Sequence, residues 1–408
     1  MYLTFAWRYF KAKKSTTAIN IIAWVTVGVI AFATCCQVLV LSVFNGFEDL
    51  VKSLYSSFYT DIRVIPAKGK TFVLDSAQLL TLKQQPFISY TSLIAEEKAL
   101  LQNPDADNAQ SVIYLKGVDE NYIHVNGVAD KTKGKFDLGT LDDPGIIIGS
   151  GIQNAAVVTI DPALGTGKLA VILPKKNVTG SDPLEALSEG NVTATGVFTI
   201  QQEFDNKYAI SNIDFVKLQM NLGKDEYSAI EIKLKPDADI KEAQQKLDQL
   251  LGNNFNVQTR YQQNTSLYNT MRLEKWAIYA VLTLILIIAA FNMISALTML
   301  VLEKRKDISV LLSMGATRKS IQKIFLSEGL LLGTIGAGIG ILLATIICLI
   351  QLKFRLIKLQ GGSFLIDYFP VKIIAADFLL VAGTAFLIAF IASWLPARKA
   401  SKQVFELR

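Results

Sequence analysis

The chain has 408 residues, of which 51% are hydrophobic and 19% charged, and its formal net charge is +6. A single histidine, His124, argues against histidine-based catalytic triads and multi-histidine metal sites. The basic residues lie in short segments beside apolar runs and lack the aromatic interleaving of a strand-binding groove, so we expect no nucleic-acid binding.

Four long apolar runs are the strongest signal in the sequence. Each is near or above the roughly 20 residues that an α-helix needs to cross a bilayer, so we predict four transmembrane helices. One run precedes and three follow a polar insertion, Asn45 to Arg272, which is long enough to bury its own hydrophobic core. The runs are Ala18 to Phe44, Trp276 to Leu302, Phe325 to Leu352 and Ile373 to Leu395.

The charge distribution orients these helices. The insertion holds 22 Lys and Arg against 28 Asp and Glu, whereas the remaining 180 residues hold 19 against 7. Lys and Arg collect on the cytoplasmic side of membrane helices. Basic segments before the first helix, after the second and after the fourth therefore place both termini in the cytoplasm and the insertion outside. The exception is the outer segment between the third and fourth helices, which carries Lys353, Arg355, Lys358 and Lys372.

The insertion predicts an α+β domain without a catalytic or metal site. Short apolar runs predict strands at 62–65, 111–115, 145–148, 169–173, 195–200, 215–218 and 227–234, and helical spacing predicts helices at 75–84, 151–157 and 238–251.

Carboxylate pairs such as Glu96-Glu97 are expected on solvated faces. The stretch Leu164 to Leu169 predicts a turn rather than a phosphate loop, because Pro162 occupies the place of the first glycine.

The most specific local pattern lies between the second and third apolar runs, from Glu303 to Lys319. It predicts a short amphipathic cytoplasmic helix that ends at a glycine cap, Gly315. The apolar residues Ile308, Leu311 and Leu312 recur at helical spacing, so one face suits a partner's hydrophobic groove. The alternative is a surface segment docked on the chain's own membrane helices.

This segment resembles the permease subunits of the MacB/FtsX superfamily, and the LolC/LolE type in particular. Residues 303–317 match the family pattern Glu-Lys-x-x-Asp-Ile-x-Val-Leu-x-x-x-Gly-Ala-Thr. Residues 395–400 are similar to the family's Tyr/Leu-Pro-Ala-Arg-x-Ala signature, and Leu41 to Phe47 is similar to the close of its first helix. Further similar stretches lie in the insertion, so the resemblance covers essentially the whole chain.

The resemblance implies a MacB-like (type VII) ABC permease fold, with four transmembrane helices in a one-plus-three layout and a large α+β extracytoplasmic domain. It implies a bacterial inner-membrane subunit that extracts lipoproteins from the outer leaflet and hands them to a periplasmic carrier. The subunit would be non-catalytic and would hold no cofactor, because two copies of a separate cytoplasmic ABC ATPase bind ATP and Mg. It would pair with a second permease, identical or related.

The resemblance divides the chain into nine segments. These are a cytoplasmic amphipathic segment (1–17), transmembrane helix 1 (18–44) with a stalk to about 59, a periplasmic α+β domain (45–272), transmembrane helix 2 (273–302), a cytoplasmic coupling helix (303–320), transmembrane helix 3 (321–352), a short periplasmic loop (353–372), transmembrane helix 4 (373–395) and a cytoplasmic tail (396–408).

The resemblance also implies three sets of contact residues. ATPase coupling falls on Glu303, Lys304, Asp307, Ile308, Leu311, Gly315 and Ala316. Lipoprotein binding falls where the first two helices leave the bilayer, at Leu39, Val40, Val43, Phe44, Phe47, Trp276, Tyr279 and Ala280. Carrier binding falls on the segment 175–190, with Lys175, Lys176, Pro183 and Leu184. Each lipoprotein position also suits an ordinary lipid-facing or core residue, and 175–190 also suits an exposed hairpin.

Polar and small residues within the apolar runs suggest further roles. Gly329, Gly333, Gly336 and Gly340 form two small-xxx-small pairs, which predict close helix packing. Glu328 and Asp377 could be functional charges, for example in proton coupling, but both are expected close enough to the membrane surface to be solvated.

Two other functions fit the same layout, a component of a MacB-type export pump and an FtsX-like mechanotransmitting activator of a periplasmic hydrolase. MacB pumps usually carry the ATPase on the same chain, and FtsX has a smaller exterior domain. A permease with 228 exterior residues therefore favours lipoprotein release.

Overall fold

The computed structural model describes residues 17–160, 168–176, 186–359 and 368–402. They form two compact units, a sheet domain of residues 51–268 and a helical unit made of the residues on either side of it. The predicted amphipathic segment at the N-terminus and most of the predicted turn at 164–169 lie outside the described residues.

The helices, in chain order, are α1 (Thr17–Phe58), α2 (Ser76–Lys83), α3 (Tyr122–Val125), α4 (Ser150–Ala155), α5 (Gln202–Asp205), α6 (Ile213–Met220), α7 (Ile240–Leu251), α8 (Arg260–Gln263), α9 (Thr265–Glu303), α10 (Arg305–Ser313), α11 (Arg318–Phe354) and α12 (Ala375–Ser401). The strands are β1 (Ile62–Pro66), β2 (Phe72–Val73), β3 (Ile88–Asn103), β4 (Ala109–Val118), β5 (Thr132–Gly134), β6 (Gly145–Gly149), β7 (Lys168–Pro174), β8 (Leu187–Phe198), β9 (Tyr208–Asn212), β10 (Glu226–Tyr227), β11 (Ala229–Leu234) and β12 (Phe255–Thr259).

Four of these helices, α1, α9, α11 and α12, are long and apolar enough to cross a membrane, which confirms the predicted one-plus-three layout. With 42 residues, α1 is roughly 63 Å long, about twice the thickness of a bilayer's hydrocarbon core. It therefore extends well beyond its apolar run, and its last residues belong to the sheet domain.

Glycines of α11 allow two neighbouring helices to approach it closely. A Cβ atom added at Gly329 or Gly333 would lie 2.3 or 2.4 Å from a side-chain atom of α12. At Gly336 and Gly340 the neighbour is α1, and the added Cβ would lie 2.9 Å from a side-chain atom and 2.4 Å from a carbonyl oxygen. These distances are too short for any side chain, so glycine sets the spacing of the three helices.

The sheet domain is built on a mixed sheet of ten strands. Its order is β12-β1-β11-β3-β4-β9-β6-β8-β5, and β7 pairs with both β3 and β8. The pairs β4–β9 and β6–β8 are parallel, and the other pairs of this sheet are antiparallel. A separate two-stranded sheet joins β10 and β2.

The last turns of α1 form part of the core of the sheet domain. Tyr55 and Phe58 are almost fully buried there. The ring of Phe58 stacks on that of Phe204 with the ring centroids 4.3 Å apart, and the hydroxyl of Tyr55 donates a hydrogen bond to Glu203. The end of α1 is thus held by the domain that follows it.

Two ion pairs, one fully and one largely buried, each join strands that are two apart in the large sheet. Lys116 Nζ is 2.6 Å from Glu231 Oε1, and an Arg63 nitrogen is 2.7 Å from Glu96 Oε2. Burial alone lowers the pKa of Lys116, but the Glu231 carboxylate outweighs it and raises that pKa. For Glu96, burial alone raises the pKa. The charges of Arg63 and Lys116 and the hydrogen bond from Arg63 outweigh burial, so the pKa of Glu96 is lowered overall. Two basic and two acidic side chains thus face each other in pairs inside the sheet domain.

One predicted strand is wrong. Residues 215–218 lie in helix α6, because the side chain of Asn212 accepts hydrogen bonds from the backbone N–H groups of Asp214 and Phe215 and caps a helix there. The helix ends at Asn221, whose φ of 54° is left-handed.

The expected solvated position of Glu96 is also wrong, because its carboxylate is buried against Arg63 in the middle of β3. This strand of 16 residues was not predicted, and neither were β9 and β12.

We expect Gly340→Ala to lower the unfolding midpoint of the full-length protein in detergent, with a loss of about 1–3 kcal/mol of stability, because the new methyl group would clash with backbone of α1. Gly338→Ala is the matched control on the same helix, since no atom lies within 4 Å of a Cβ added there. Equal midpoints for the two variants would contradict this packing.

Lys116→Met should destabilise the full-length protein by roughly 3–5 kcal/mol, because it leaves the buried Glu231 carboxylate unpaired. Lys70→Met is the control, because Lys70 is 76% exposed in its pair with Glu97 and should contribute below about 1 kcal/mol. Thermal unfolding followed by circular dichroism measures both. Adding Glu231→Leu to Lys116→Met should restore part of the loss, and no difference between the two lysine variants would refute the assignment.

Candidate functional site

The cytoplasmic helix α10 is joined to the next membrane helix by a tight turn. Near its start, Lys304 Nζ lies 2.9 Å from Asp307 Oδ2. Beyond its end, Gly315 has a φ of +90°, a conformation that favours glycine. The hydroxyl of Thr317 then accepts a hydrogen bond from the backbone N–H of Ser320 and caps α11. The predicted helix and glycine cap are both present.

The apolar face of α10 is docked on the chain's own membrane helices. Ile308 is only 2% exposed, and Leu311, Leu312 and Ala316 pack against the same hydrophobic core. Ile308 is therefore covered by the chain's own hydrophobic core, as the alternative of a segment docked on its own helices predicts. That core includes residues of α9, α11 and α12. Binding of a partner by this helix stays a prediction.

A different pair of apolar side chains on α10 points outwards. Val310 is 58% exposed and Met314 is 79% exposed, and they lie four residues apart on one side of the helix and its cap. Arg305 and Lys306 are exposed nearby, Glu303 is half-buried, and Gly315 is exposed. The outer surface of α10 is therefore a small apolar patch with basic neighbours.

The residues assigned to lipoprotein contact differ in accessibility. Val40, Trp276 and Ala280 are exposed, whereas the others are partly buried. Leu39 and Tyr279 pack against a small core between helices of the unit, and the ring of Phe47 meets that of Phe369 edge to face at 5.8 Å. The partly buried positions are Leu39, Val43, Phe44, Phe47 and Tyr279.

Three polar side chains join α1, α9 and α12 close in sequence to the residues assigned to lipoprotein contact. Asn45 Nδ2 donates a hydrogen bond to Asp377 Oδ2 at 2.6 Å. Lys275 Nζ lies 2.9 Å from Asn45 Oδ1 and 3.2 Å from Asp377 Oδ2. The Asp377 carboxylate also lies in the first turn of α12, where the helix dipole favours a negative charge. We call Asn45, Lys275 and Asp377 the polar triad.

The polar triad was not predicted as a unit. Asp377 was expected to be solvated, and it is instead paired and largely buried. Glu328 was expected to be solvated as well, and it is buried where α11 packs against α12. Both expectations failed because packing between helices, rather than depth in the membrane, decides how exposed these side chains are.

The segment assigned to the carrier is described only at its ends. The backbone N–H of Lys175 donates to the carbonyl of Ala186 at 2.8 Å, which continues the pairing of β7 with β8 by one step. Lys176 Nζ contacts Glu226 and lies 2.8 Å from the hydroxyl of Thr71. Burial raises the pKa of Glu226, but the hydrogen bonds from Lys176 and Thr71 outweigh it and lower that pKa. Pro183 and Leu184 lie outside the described residues.

Two family models match the chain. A MacB-like periplasmic core domain matches residues 23–250, and an FtsX-like permease C-terminal domain matches residues 279–405. With four apolar helices around a large α+β domain, this defines the class as an inner-membrane permease with its large domain in the periplasm. The chain belongs to the family of proteins that carry the MacB-like periplasmic core domain, because that model covers more than half of it.

Relatives with known names align over nearly the whole chain. The "Lipoprotein-releasing system transmembrane protein LolC" of Neisseria meningitidis is 28% identical, over 97% of this chain and 95% of that protein. The protein of the same system named LolE, from Haemophilus influenzae, is 24% identical, over 97% and 96%. The "Macrolide export ATP-binding/permease protein MacB" of Neisseria gonorrhoeae is 23% identical, over 92% of this chain and 56% of that protein. The resemblance to the LolC/LolE type is thereby confirmed.

Proposed function

We propose that this chain is the permease subunit of an ABC transporter that extracts lipoproteins from the outer leaflet of the inner membrane and passes them to a periplasmic carrier. The observation that carries the proposal is the alignment with proteins named LolC and LolE, which extends over 97% of this chain and at least 95% of each of them. The relative named MacB is matched over only about half of its own length, which favours lipoprotein release over the export pump.

The proposal assigns ATP and Mg binding to a separate ATPase, and it makes this subunit non-catalytic. Two copies of that ATPase would act on a pair of permeases, identical or related. The outer surface of α10 supports an ATPase contact, because Val310 and Met314 offer an exposed apolar patch on a helix that is itself fixed to the membrane helices. A partner that pushes on α10 would therefore move α9 and α11 with it.

Lipoprotein binding is proposed at the outer end of α1 and α9. The exposed side chains there, Val40, Trp276 and Ala280, could contact acyl chains directly. The polar triad closes α1, α9 and α12 behind them. Breaking the contacts of the polar triad would allow these helices to separate. The triad could therefore control the entry of cargo. The carrier would contact the segment 175–190.

Val310→Asp and Met314→Asp should each reduce co-purification of the ATPase at least several-fold, because a charge replaces an apolar contact in the patch. Leu218→Asp is the control, since Leu218 is similarly exposed on the sheet domain. Membrane insertion and the unfolding midpoint should be unchanged in all three variants. Wild-type levels of ATPase in both α10 variants would show that the ATPase binds elsewhere.

Depletion of the chain should cause acylated lipoproteins to accumulate in the inner membrane several-fold, because nothing would then pass them to the carrier. The measurement is the distribution of a labelled lipoprotein between separated inner and outer membranes. Expression of the wild-type chain should restore the distribution, and expression of the Val310→Asp variant should not. The proposal fails if lipoproteins still leave the inner membrane at the normal rate during depletion.

A further inference from the structure

The outer loop after α11 begins with an alternation of apolar and basic residues. The stretch from Leu352 to Leu359 reads Leu-Lys-Phe-Arg-Leu-Ile-Lys-Leu. It follows directly on the apolar part of a helix that is long and apolar enough to cross a membrane, which predicts a position near the lipid headgroups. Basic residues are unusual on the outer side of a membrane protein.

The backbone of this stretch is held in a defined shape. Helix α11 ends at Phe354, and Arg355 has a φ of +49°, which turns the chain. The side chain of Gln351 is buried and makes three hydrogen bonds to the loop: Nε2 donates to the carbonyls of Ile357 at 3.1 Å and Phe369 at 3.2 Å, and Oε1 accepts from the N–H of Ile357 at 3.0 Å. The guanidinium of Arg355 lies 4.2 Å from the centroid of the Tyr368 ring. The side chain of Gln351 thus holds the turn at Arg355 in place.

The side chains along this turn are exposed, both the apolar and the basic ones. Phe354, Leu356 and Ile357 are each more than half exposed. Lys353, Arg355 and Lys358 are exposed as well. Apolar side chains next to basic ones at this depth suit a lipid surface, where the former enter the acyl region and the latter meet phosphate groups.

Two other outward cations of the helical unit have carboxylate partners: Lys372 Nζ lies 2.5 Å from Asp49 Oδ1, and Lys275 Nζ lies 3.2 Å from Asp377 Oδ2. Among the described residues, no carboxylate lies within 4 Å of Lys353, Arg355 or Lys358. Three exposed cations on one turn suit the phosphate groups of a lipid surface.

We propose that Lys353, Arg355 and Lys358 bind the phosphate groups of anionic phospholipids in the outer leaflet of the inner membrane, with Leu356 and Ile357 inserted among the acyl chains. This headgroup site holds the outer end of α11 at a fixed depth. It is independent of the proposed transport function. A lipid rather than a protein is favoured as the occupant because the exposed apolar side chains continue the lipid-facing surface of a membrane helix.

The site is tested by local cross-linking in nanodiscs that contain equal amounts of phosphatidylglycerol and phosphatidylcholine. A photo-reactive residue replaces Leu356 in the full-length protein, and mass spectrometry identifies the lipid that it captures. Each basic residue near an anionic surface adds about a fivefold preference, so phosphatidylglycerol should be captured at least fivefold more often than phosphatidylcholine. The same probe at Leu284, an exposed position within α9, should show no preference.

A triple variant, Lys353→Gln, Arg355→Gln and Lys358→Gln, should bring the capture ratio at Leu356 close to one. The variant Lys133→Gln, Lys235→Gln and Lys241→Gln makes the same change in net charge at exposed positions of the sheet domain and should leave the ratio unchanged. A charge-conserving variant, Lys353→Arg, Arg355→Lys and Lys358→Arg, should keep the preference, and the unfolding midpoint should show that each variant is folded.

Four results would overturn the proposal. The first is an unchanged preference in the triple Gln variant, and the second is an equal loss in the sheet-domain control. The third is loss of the preference on addition of inorganic phosphate, which would indicate a site for a soluble anion. Capture of a protein at Leu356 in place of lipid would likewise show that a partner covers this turn.

Discussion

The uninterrupted course of α1 is the constraint on which both units depend. In the helical unit, Gly336 and Gly340 of α11 bring a second backbone into direct contact with it. At its other end, Tyr55 and Phe58 complete the core of the sheet domain. Because every turn of a helix is held by backbone hydrogen bonds, its length is fixed. One helix therefore contributes residues to the hydrophobic cores of both units.

Patterns that are local in sequence could be predicted well. The four apolar runs became helices because a bilayer-length apolar segment leaves the backbone no other way to satisfy its hydrogen bonds. The glycine cap at Gly315 followed from the end of the helical pattern, and the strand from Gly145 to Gly149 followed from an unbroken apolar run between turn residues. In each case the residues that decide the structure are neighbours along the chain.

Features that rest on distant residues could not be predicted. In the sequence, Glu96 lies in a polar stretch that suggests a surface position. Only the folded sheet brings its carboxylate against Arg63 of β1. The apolar face of α10 looks like a partner surface until α9 and α11 are packed around Ile308. Residues 215–218 of helix α6 were predicted as a strand because they form a short apolar run, whereas the cap at Asn212 makes them helical. Each error came from judging a side chain without the element that covers it.

The polar triad also sets an order of assembly. Asn45 and Asp377 are 332 residues apart, so a ribosome that adds about 5–20 residues per second makes the second roughly tens of seconds after the first. During that interval Asn45 and Lys275 lack their carboxylate, and α1 and α9 cannot reach their final arrangement. The last membrane helix therefore supplies the group that completes the polar contact between the first two.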